Sequence, residues 1–206
     1  MGQLSWSAPD ERAEGELLVR SAPGAVEVTF NRPERLNAFT EAMYEELLTL
    51  CAEVAADRSV RVVVFRGAGG RAFAAGSEIS LFSDFRSGGD GIAYEAQIRR
   101  VLGAIAALPQ VTVAAVEGVC VGGGLAVAAS CDLRICSPDS RFGIPIARTL
   151  GNALSASIVL RCAPRRLAHA ARLPSAHPAA ETAISPSSDQ SVPSMEQLMI
   201  FGVLTR

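Results

Sequence analysis

Two short apolar runs, each followed by a glycine-containing turn, constrain the fold of this chain most. Arg61 to Arg66 reads RVVVFR, and Val111 to Val116 reads VTVAAV. Continuous β-branched runs of this length are typical of strands in a parallel sheet that are buried on both faces. A helical pattern precedes each run, from Thr40 to about Asp57 and from Gly91 to Leu108. Strands that alternate with helices predict an α/β fold with a mostly parallel sheet.

Each helical pattern has one apolar face, which predicts the side that packs on the sheet. Thr40 and Asp90 precede the two patterns and are predicted N-caps. A Pro-Gly turn at Pro23 and Gly24 separates two further strand patterns and predicts a hairpin. The predicted inward residues are Met43, Leu47, Leu50, Cys51 and Val54 in the first helix, and Ile92, Ile98, Val101, Leu102 and Ile105 in the second; the remaining predicted strands are Glu16 to Arg20, Ala25 to Phe30 and Leu133 to Cys136.

The charged residues exclude several classes of function. The formal net charge is −2 and no basic run is present, so the footprint of a nucleic-acid binder is missing. All 19 basic residues are arginine, which excludes a lysine Schiff base and a phosphate-binding lysine. The two histidines, His169 and His177, lie in the last fifth of the chain. No uninterrupted apolar run reaches the roughly 18 residues of a membrane span, so we expect no membrane contact.

The cysteines indicate a reducing compartment. There are five, an odd number, scattered through apolar stretches with no CxxC pair, so we expect buried reduced thiols and no metal site. The first residues lack a basic segment followed by an apolar one, so no secretory signal is predicted and a cytoplasmic location is expected. The cysteines are Cys51, Cys120, Cys131, Cys136 and Cys162.

The two glycine-containing turns are the candidate chemical site. Gly70 to Ile79 (GRAFAAGSEI) and Glu117 to Val127 (EGVCVGGGLAV) follow the two buried runs. Both lie at carboxyl ends of predicted parallel strands, where open α/β sheets bind ligands. Two backbone N–H groups that converge on a carbonyl oxygen would form an oxyanion hole. The alternative is that the glycines serve close packing. A nucleotide phosphate loop is disfavoured because neither turn matches GxGxxG or GxxxxGK[ST].

Seven segments follow one another in a specific order along about the first 160 residues. They are Asn31-Arg32-Pro33, Leu36-Asn37-Ala38, Arg71 to Ile79, Ala114 to Gly118, Gly122-Gly123-Gly124, Cys131 to Arg134 and Phe142 to Pro145. Together these segments resemble the crotonase, or enoyl-CoA hydratase/isomerase, superfamily. The resemblance implies a spiral of ββα units that assembles as trimers or pairs of trimers, and it implies an acyl-CoA thioester as substrate, with no separate cofactor.

The resemblance also assigns residues to the site. It implies that the amides of Ser77 and Gly123 hold the thioester oxygen and stabilise an enolate. No side-chain identity is needed for N–H donation, so serine in place of the commoner alanine at position 77 is expected to do little harm. The residues expected at the CoA thioester are Phe73, Ala74, Ala75, Gly76, Gly122, Gly124 and Arg148.

Both glutamates that hydratases of this family use to activate water are replaced, one by Ala126 and the other by Ile146. Neither side chain can transfer a proton, which puts a standard hydratase mechanism in doubt. Glu78, beside the Ser77 donor, is a tentative catalytic residue, although hydrogen bonding within its own loop is the favoured explanation for it. Arg148 and Asn152 could face the pocket or provide surface polarity.

The composition divides the chain into a crotonase-like core, residues 1–161, and a divergent tail, residues 162–206. Ala, Pro and Ser supply 19 of the 45 tail residues, which is typical of a poorly ordered segment. The C-terminal helices of the family would then be missing or replaced. One hypothesis is that the tail is a GC-rich coding sequence read out of frame, which resequencing would test.

Two functions therefore compete. The first is an acyl-CoA enzyme of fatty acid metabolism, similar to enoyl-CoA hydratase/isomerase, that forms a homotrimer or hexamer if the tail permits. The second is a catalytically inactive acyl-CoA-binding protein or a degenerate remnant of the family. Binding of acyl-CoA without turnover would favour the second. A nucleotide-binding domain is a weaker third alternative.

Overall fold

The computed structural model describes residues 15–145, apart from the side chain of Asp84. Strands and helices alternate through this range, with two short 3₁₀ turns at Pro33–Arg35 and Ile79–Asp84. In chain order the elements are β1 (Leu17–Ala22), β2 (Ala25–Phe30), α1 (Glu41–Ala56), β3 (Val62–Gly67), β4 (Ala72–Ala74), α2 (Gly88–Ala106), β5 (Val111–Val116), β6 (Val119–Val121), α3 (Gly123–Ser130), β7 (Leu133–Cys136) and β8 (Arg141–Gly143).

The strands form two sheets. The larger has the order β1-β2-β3-β5-β7, with β1 antiparallel to β2 and the other neighbours parallel. The smaller sheet has the order β4-β6-β8 and is parallel throughout. Each of β3 and β5 is followed by a strand of the small sheet and then by a helix. The predicted α/β fold of repeated ββα units is therefore confirmed.

Helix α1 begins where the sequence predicts. The Thr40 hydroxyl accepts a hydrogen bond from the Met43 amide at 3.2 Å, which satisfies one of the free amides of the first turn. Every residue predicted to face inward on this helix is buried, and Tyr44 is buried with them.

Helix α2 begins three residues earlier than predicted. Ser87 is the N-cap, and Asp90, predicted to be the cap, completes a capping box from the third helical position. Ile92 was expected to face inward but is 71% exposed. It lies about 200° around the helix from Tyr94, whose face carries the buried Val101 and Ile105.

Strand β3 differs from its prediction in burial. Its residues alternate between buried and half-buried, so only one face is fully enclosed in the described range, and β5 shows the same alternation. The enclosed face carries Phe65, whose ring stacks on Phe30 at 6.4 Å between centroids. Phe39 and Phe73 meet the same Phe30 ring edge-on, at 4.8 and 5.2 Å. These four rings form the aromatic core beneath the candidate site.

The cysteines of the described range differ in their exposure to solvent. Cys51, Cys120 and Cys131 are buried, as expected, but Cys136 is exposed because it ends β7, the last strand of the larger sheet among the described residues. Across residues 15–145, no helix has the length and apolar character to cross a bilayer. Over the same range no three His, Cys, Asp or Glu side chains are grouped to hold a metal ion. Cys162 and the predicted domain boundary after residue 161 lie outside the described residues.

Candidate functional site

The small sheet brings the two glycine-containing turns together. Strands β4 and β6 pair in parallel, with Ala72 opposite Val119 and Ala74 opposite Cys120, so both turns leave the same edge. A Cβ atom placed on Gly76 would lie 3.6 Å from the Gly123 nitrogen, and one placed on Gly122 would lie 3.6 Å from the Gly76 Cα. The two backbones therefore run beside each other with room for about one methyl group between them at these points.

The amide of Ser77 points away from Phe39, the residue with which Ser77 forms an isolated bridge. Phe39 forms a parallel bridge with Ser77, in which the Phe39 amide donates to the Gly76 carbonyl and the Glu78 amide donates to the Phe39 carbonyl, both at 2.8 Å. In a parallel bridge these bonds use the groups on either side of the central residue. The Ser77 N–H is consequently left to face the other turn.

The amide of Gly123 is free for a different reason. Gly123 is the first residue of α3, and the first amides of a helix have no partner within the helix. Among the described residues, neither the Ser77 nor the Gly123 amide donates to a protein acceptor. Both residues are half-buried, so a small ligand can reach them. The two donors are neighbours, since a Cβ placed on Gly123 would lie 3.6 Å from the Ser77 nitrogen.

The three glycines of the GGG segment have separate roles. Gly122 has φ +54°, a backbone conformation that side chains disfavour. A Cβ on Gly124 would lie 2.2 Å from the Ala74 carbonyl oxygen, and one on Gly123 would lie 2.8 Å from the Tyr44 hydroxyl. Close packing against Ala74 therefore explains why residue 124 is a glycine. At position 123, the missing side chain leaves space for the contact between the Tyr44 and Ser77 hydroxyls.

Two tyrosine hydroxyls contact the Ser77 hydroxyl. Tyr44 Oη lies 2.8 Å from Ser77 Oγ, and Tyr94 donates a hydrogen bond to the same oxygen. Burial, and to a smaller degree repulsion from Tyr94, raises the pKa of Tyr44 above its usual range, and burial also raises the pKa of Tyr94. Both phenols therefore keep their protons at neutral pH.

Neither Tyr44 nor Tyr94, the only two tyrosines in the chain, is among the site residues predicted from the sequence. Their positions in the two helical patterns are the feature that could have indicated them. Tyr44 follows the inward-facing Met43, and Tyr94 lies one helical turn before Ile98. An aromatic with a polar tip on the inward face of a helix needs a buried partner for its hydroxyl.

Aromatic rings hold Tyr94 in place. Its ring meets that of Phe82 edge-on at 5.2 Å between centroids and lies 5.9 Å from that of Phe85. Phe82 and Phe85 also meet edge-on at 5.4 Å. The hydroxyl of Tyr94 therefore reaches Ser77 from a ring that is fixed by its own packing.

The candidate acid and base positions offer little proton-transfer chemistry. Ala126 is buried in α3, and because an alanine side chain is a methyl group, this position provides no carboxylate. The Glu78 carboxylate forms an ion pair with Arg32 at 3.1 Å, which gives it a structural partner. The described residues do not include Ile146, Arg148 or Asn152.

The residues expected at CoA differ in accessibility. Phe73 and Ala74 are fully buried, so in this conformation they support the turn from below instead of presenting a surface. Gly76, Gly122 and Gly124 are also buried, whereas Ala75 is half-buried and remains the accessible member of this set.

A second concave region lies at the opposite, amino ends of β3 and β5. It is an open cavity of about 580 Å³ that includes Arg58, Arg61 and Gln110 in its lining. It contains none of the residues predicted for the site. Parallel α/β sheets place ligands at the carboxyl ends of their strands, which favours the two glycine-containing turns over this cavity.

Comparisons with known proteins identify the family. A sequence profile described as enoyl-CoA hydratase/isomerase matches residues 21–186. The human enoyl-CoA hydratase domain-containing protein 2, mitochondrial, is 34% identical over 142 residues, which cover 66% of this chain and 48% of the relative. The short-chain-enoyl-CoA hydratase of Clostridium acetobutylicum is 36% identical over 118 residues, covering 57% and 45%.

A solved structure supports the same family assignment. The enoyl-CoA hydratase/carnithine racemase of Magnetospirillum magneticum matches with a TM-score of 0.68 and 35% identity, over 71% of this chain and 56% of that one. The chain spans about half the length of the curated relatives it matches. The name of the human relative places that protein in mitochondria, so the cytoplasmic location of this chain stays a prediction.

Proposed function

The chain belongs to the enoyl-CoA hydratase/isomerase family, and we propose that it binds an acyl-CoA thioester whose carbonyl oxygen lies between the amides of Ser77 and Gly123. The observation that supports this proposal is the pair of amides without a protein acceptor among the described residues, at the place where the two turns run beside each other. Hydrogen bonds to a thioester oxygen strengthen as negative charge develops on it, so the two donors stabilise the enolate more than the substrate. Such a site lowers the barrier to any reaction that passes through an enolate.

The reaction we favour is one that needs little from carboxylates. Hydration requires a group that removes a proton from water, and Ala126 cannot do so. Isomerisation of a double bond, or another enolate reaction, uses the oxyanion hole more directly. The alternative is binding without turnover, which the Ala126 position and the pairing of Glu78 with Arg32 favour.

The oxyanion hole can be tested by removing the Gly123 amide alone. Both Gly123→Pro and Gly123→Ala add a Cβ that would meet the Tyr44 hydroxyl at 2.8 Å, so both are made in a Tyr44→Phe background that removes this obstruction. Proline lacks the N–H and is tolerated at the first position of a helix, whereas alanine keeps the N–H.

Calorimetric titration with crotonyl-CoA, beside hydration and isomerisation assays, gives the readout. We expect the proline variant to lose about 100-fold or more in turnover relative to the alanine variant, the effect typical of one oxyanion donor. Binding by the wild type without turnover supports the inactive alternative. No binding at all rejects both functions.

We also propose, from the family, a homotrimer or hexamer in fatty acid metabolism. Ile135 on the outermost strand β7 is 65% exposed, and Val111 at the start of β5 is 46% exposed, so apolar surface is available for subunit contact. Light scattering of the full chain tests the assembly, and a monomer at micromolar concentration would reject it.

A further inference from the structure

The Ser77 hydroxyl lies at the centre of a cluster of three hydroxyl groups, those of Tyr44, Ser77 and Tyr94. A serine oxygen accepts two hydrogen bonds and donates one. Tyr94 donates to it, and Tyr44 lies at donor distance, 2.8 Å away. When both phenols donate, they occupy the two acceptor positions and leave the serine hydrogen free to point elsewhere.

Both phenols carry the hydrogen that a donor needs. Burial raises the pKa of both, so neither is a phenolate at neutral pH. A hydroxyl that accepts hydrogen bonds becomes a stronger donor itself, because hydrogen bonds in a chain polarise one another. The cluster therefore favours donation of the Ser77 hydrogen over removal of a proton from a substrate.

The Ser77 hydroxyl lies close to the candidate oxyanion hole. A Cβ placed on Gly123 would be 3.3 Å from Ser77 Oγ and 3.6 Å from the Ser77 nitrogen, so the hydroxyl and the amide of Ser77 lie beside the same part of Gly123. One oxygen atom at this point can accept from both groups of Ser77.

We propose that the Ser77 hydroxyl is a third hydrogen-bond donor to the thioester oxygen, held in that role by Tyr44 and Tyr94 as positioning residues. This inference rests on the proposed function and extends it, because serine at position 77 then contributes its side chain as well as its amide. The expectation that serine at position 77 does little harm concerned its backbone amide alone. A site with three donors suits stabilisation of an enolate better than activation of water.

Spectroscopy of a bound chromophore separates this role from simple packing. The probe is 2,4-hexadienoyl-CoA, whose conjugated band moves to longer wavelength as the thioester carbonyl is polarised. Ser77→Ala removes the hydroxyl and keeps the amide, and Tyr94→Phe removes its hydroxyl while keeping its contacts with Phe82 and Phe85. Ser59→Ala, which removes an exposed hydroxyl in the turn after α1, is the control.

We expect Ser77→Ala to lose at least about half of the wavelength shift, and Tyr94→Phe to lose a smaller part. Affinity for hexanoyl-CoA, a saturated ligand, should change less than about threefold in both, because the lost bond matters most when charge develops on the oxygen. A full shift in correctly folded Ser77→Ala and Tyr94→Phe overturns the inference and leaves the proposed function intact. No binding of the probe by the wild type rejects both.

Discussion

The Arg32 guanidinium lies 3.1 Å from the Glu78 carboxylate, a pair separated by 46 residues in the chain. The same guanidinium contacts Glu16 at 2.9 Å and donates to the Ala38 carbonyl at 2.6 Å. Arg32 therefore joins the segment after β2 to the turn that carries Ser77. Glu78, which this network holds, directly follows Ser77, the residue whose amide is the proposed donor.

Glu78→Gln is accordingly expected to weaken the fold slightly and leave the chemistry unchanged. The glutamate is partly exposed, so solvent screens the ion pair and the loss should be about 0.5–1 kcal/mol in free energy of unfolding. Urea unfolding measures this change, and titration with 2,4-hexadienoyl-CoA should show the wild-type spectral shift. Loss of turnover with full stability would instead assign Glu78 an acid or base role.

Asn37 supports the same region from beneath. It is fully buried, with φ +56°, and its amide nitrogen donates to the Ala68 and Ala72 carbonyls at 3.0 and 2.7 Å. Its side-chain oxygen accepts from the Arg32 amide at 3.0 Å. We expect Asn37→Ala to cost about 3 kcal/mol or more in unfolding free energy, because buried backbone groups lose their partners.

Asn37→Gly separates the two contributions. Glycine also loses the hydrogen bonds but tolerates the positive φ, so it should be about 1 kcal/mol more stable than the alanine variant. Equal stability of the two variants would show that the backbone conformation at this position contributes nothing. Thermal and urea unfolding provide the comparison.

Two glycines form a matched pair for the packing of α3 on the small sheet. A Cβ on Gly124 would lie 2.2 Å from the Ala74 carbonyl oxygen, a backbone atom that cannot rotate aside. A Cβ on Gly103 in α2 meets no atom within 4 Å. Gly124→Ala should therefore destabilise by about 3 kcal/mol, whereas Gly103→Ala should stabilise by about 0.5–1 kcal/mol through helix propensity. A neutral Gly124→Ala would contradict the close contact between α3 and β4.

The sequence predicts the parts of this fold that local patterns determine. The β-branched run gives β5 with its observed ends, and Thr40 gives the start of α1. The small sheet was missed because strands such as Ala72–Ala74 are too short to show an alternating pattern. The pairing of β4 with β6 joins segments that are distant in the sequence, and this pairing places the two glycine-containing turns beside each other.

The hydroxyl cluster was missed for a related reason. Nothing within either sequence segment indicates that Tyr44 and Tyr94, 50 positions apart, reach the same serine. The resemblance to a family supplied Ser77 and Gly123 as backbone donors, for which side chains do not matter. Tyr44 and Tyr94 could be recognised only once helices α1 and α2 were packed beside that serine.

The absence of lysine makes alkaline stability unusually simple to interpret. Between pH 8 and 11 the titrating side chains of the whole sequence are five cysteines and two tyrosines. Burial raises the pKa of Cys51 from 9.0 to about 11, and burial also raises that of Tyr44. Between pH 9 and 11 the unfolded chain therefore binds fewer protons than the folded one, so stability falls as pH rises.

For Cys51 alone, the pKa is 9.0 in the unfolded chain and about 11 in the folded one. This difference lowers the free energy of unfolding by about 1.4 kcal/mol at pH 10. We expect the wild type to lose about that much more than Cys51→Ala when urea unfolding at pH 8 is compared with pH 10. Ser59→Ala, an exposed control, should follow the wild type. Parallel losses in the wild type and Cys51→Ala would mean that the Cys51 thiol titrates equally in both states, contrary to its burial in α1.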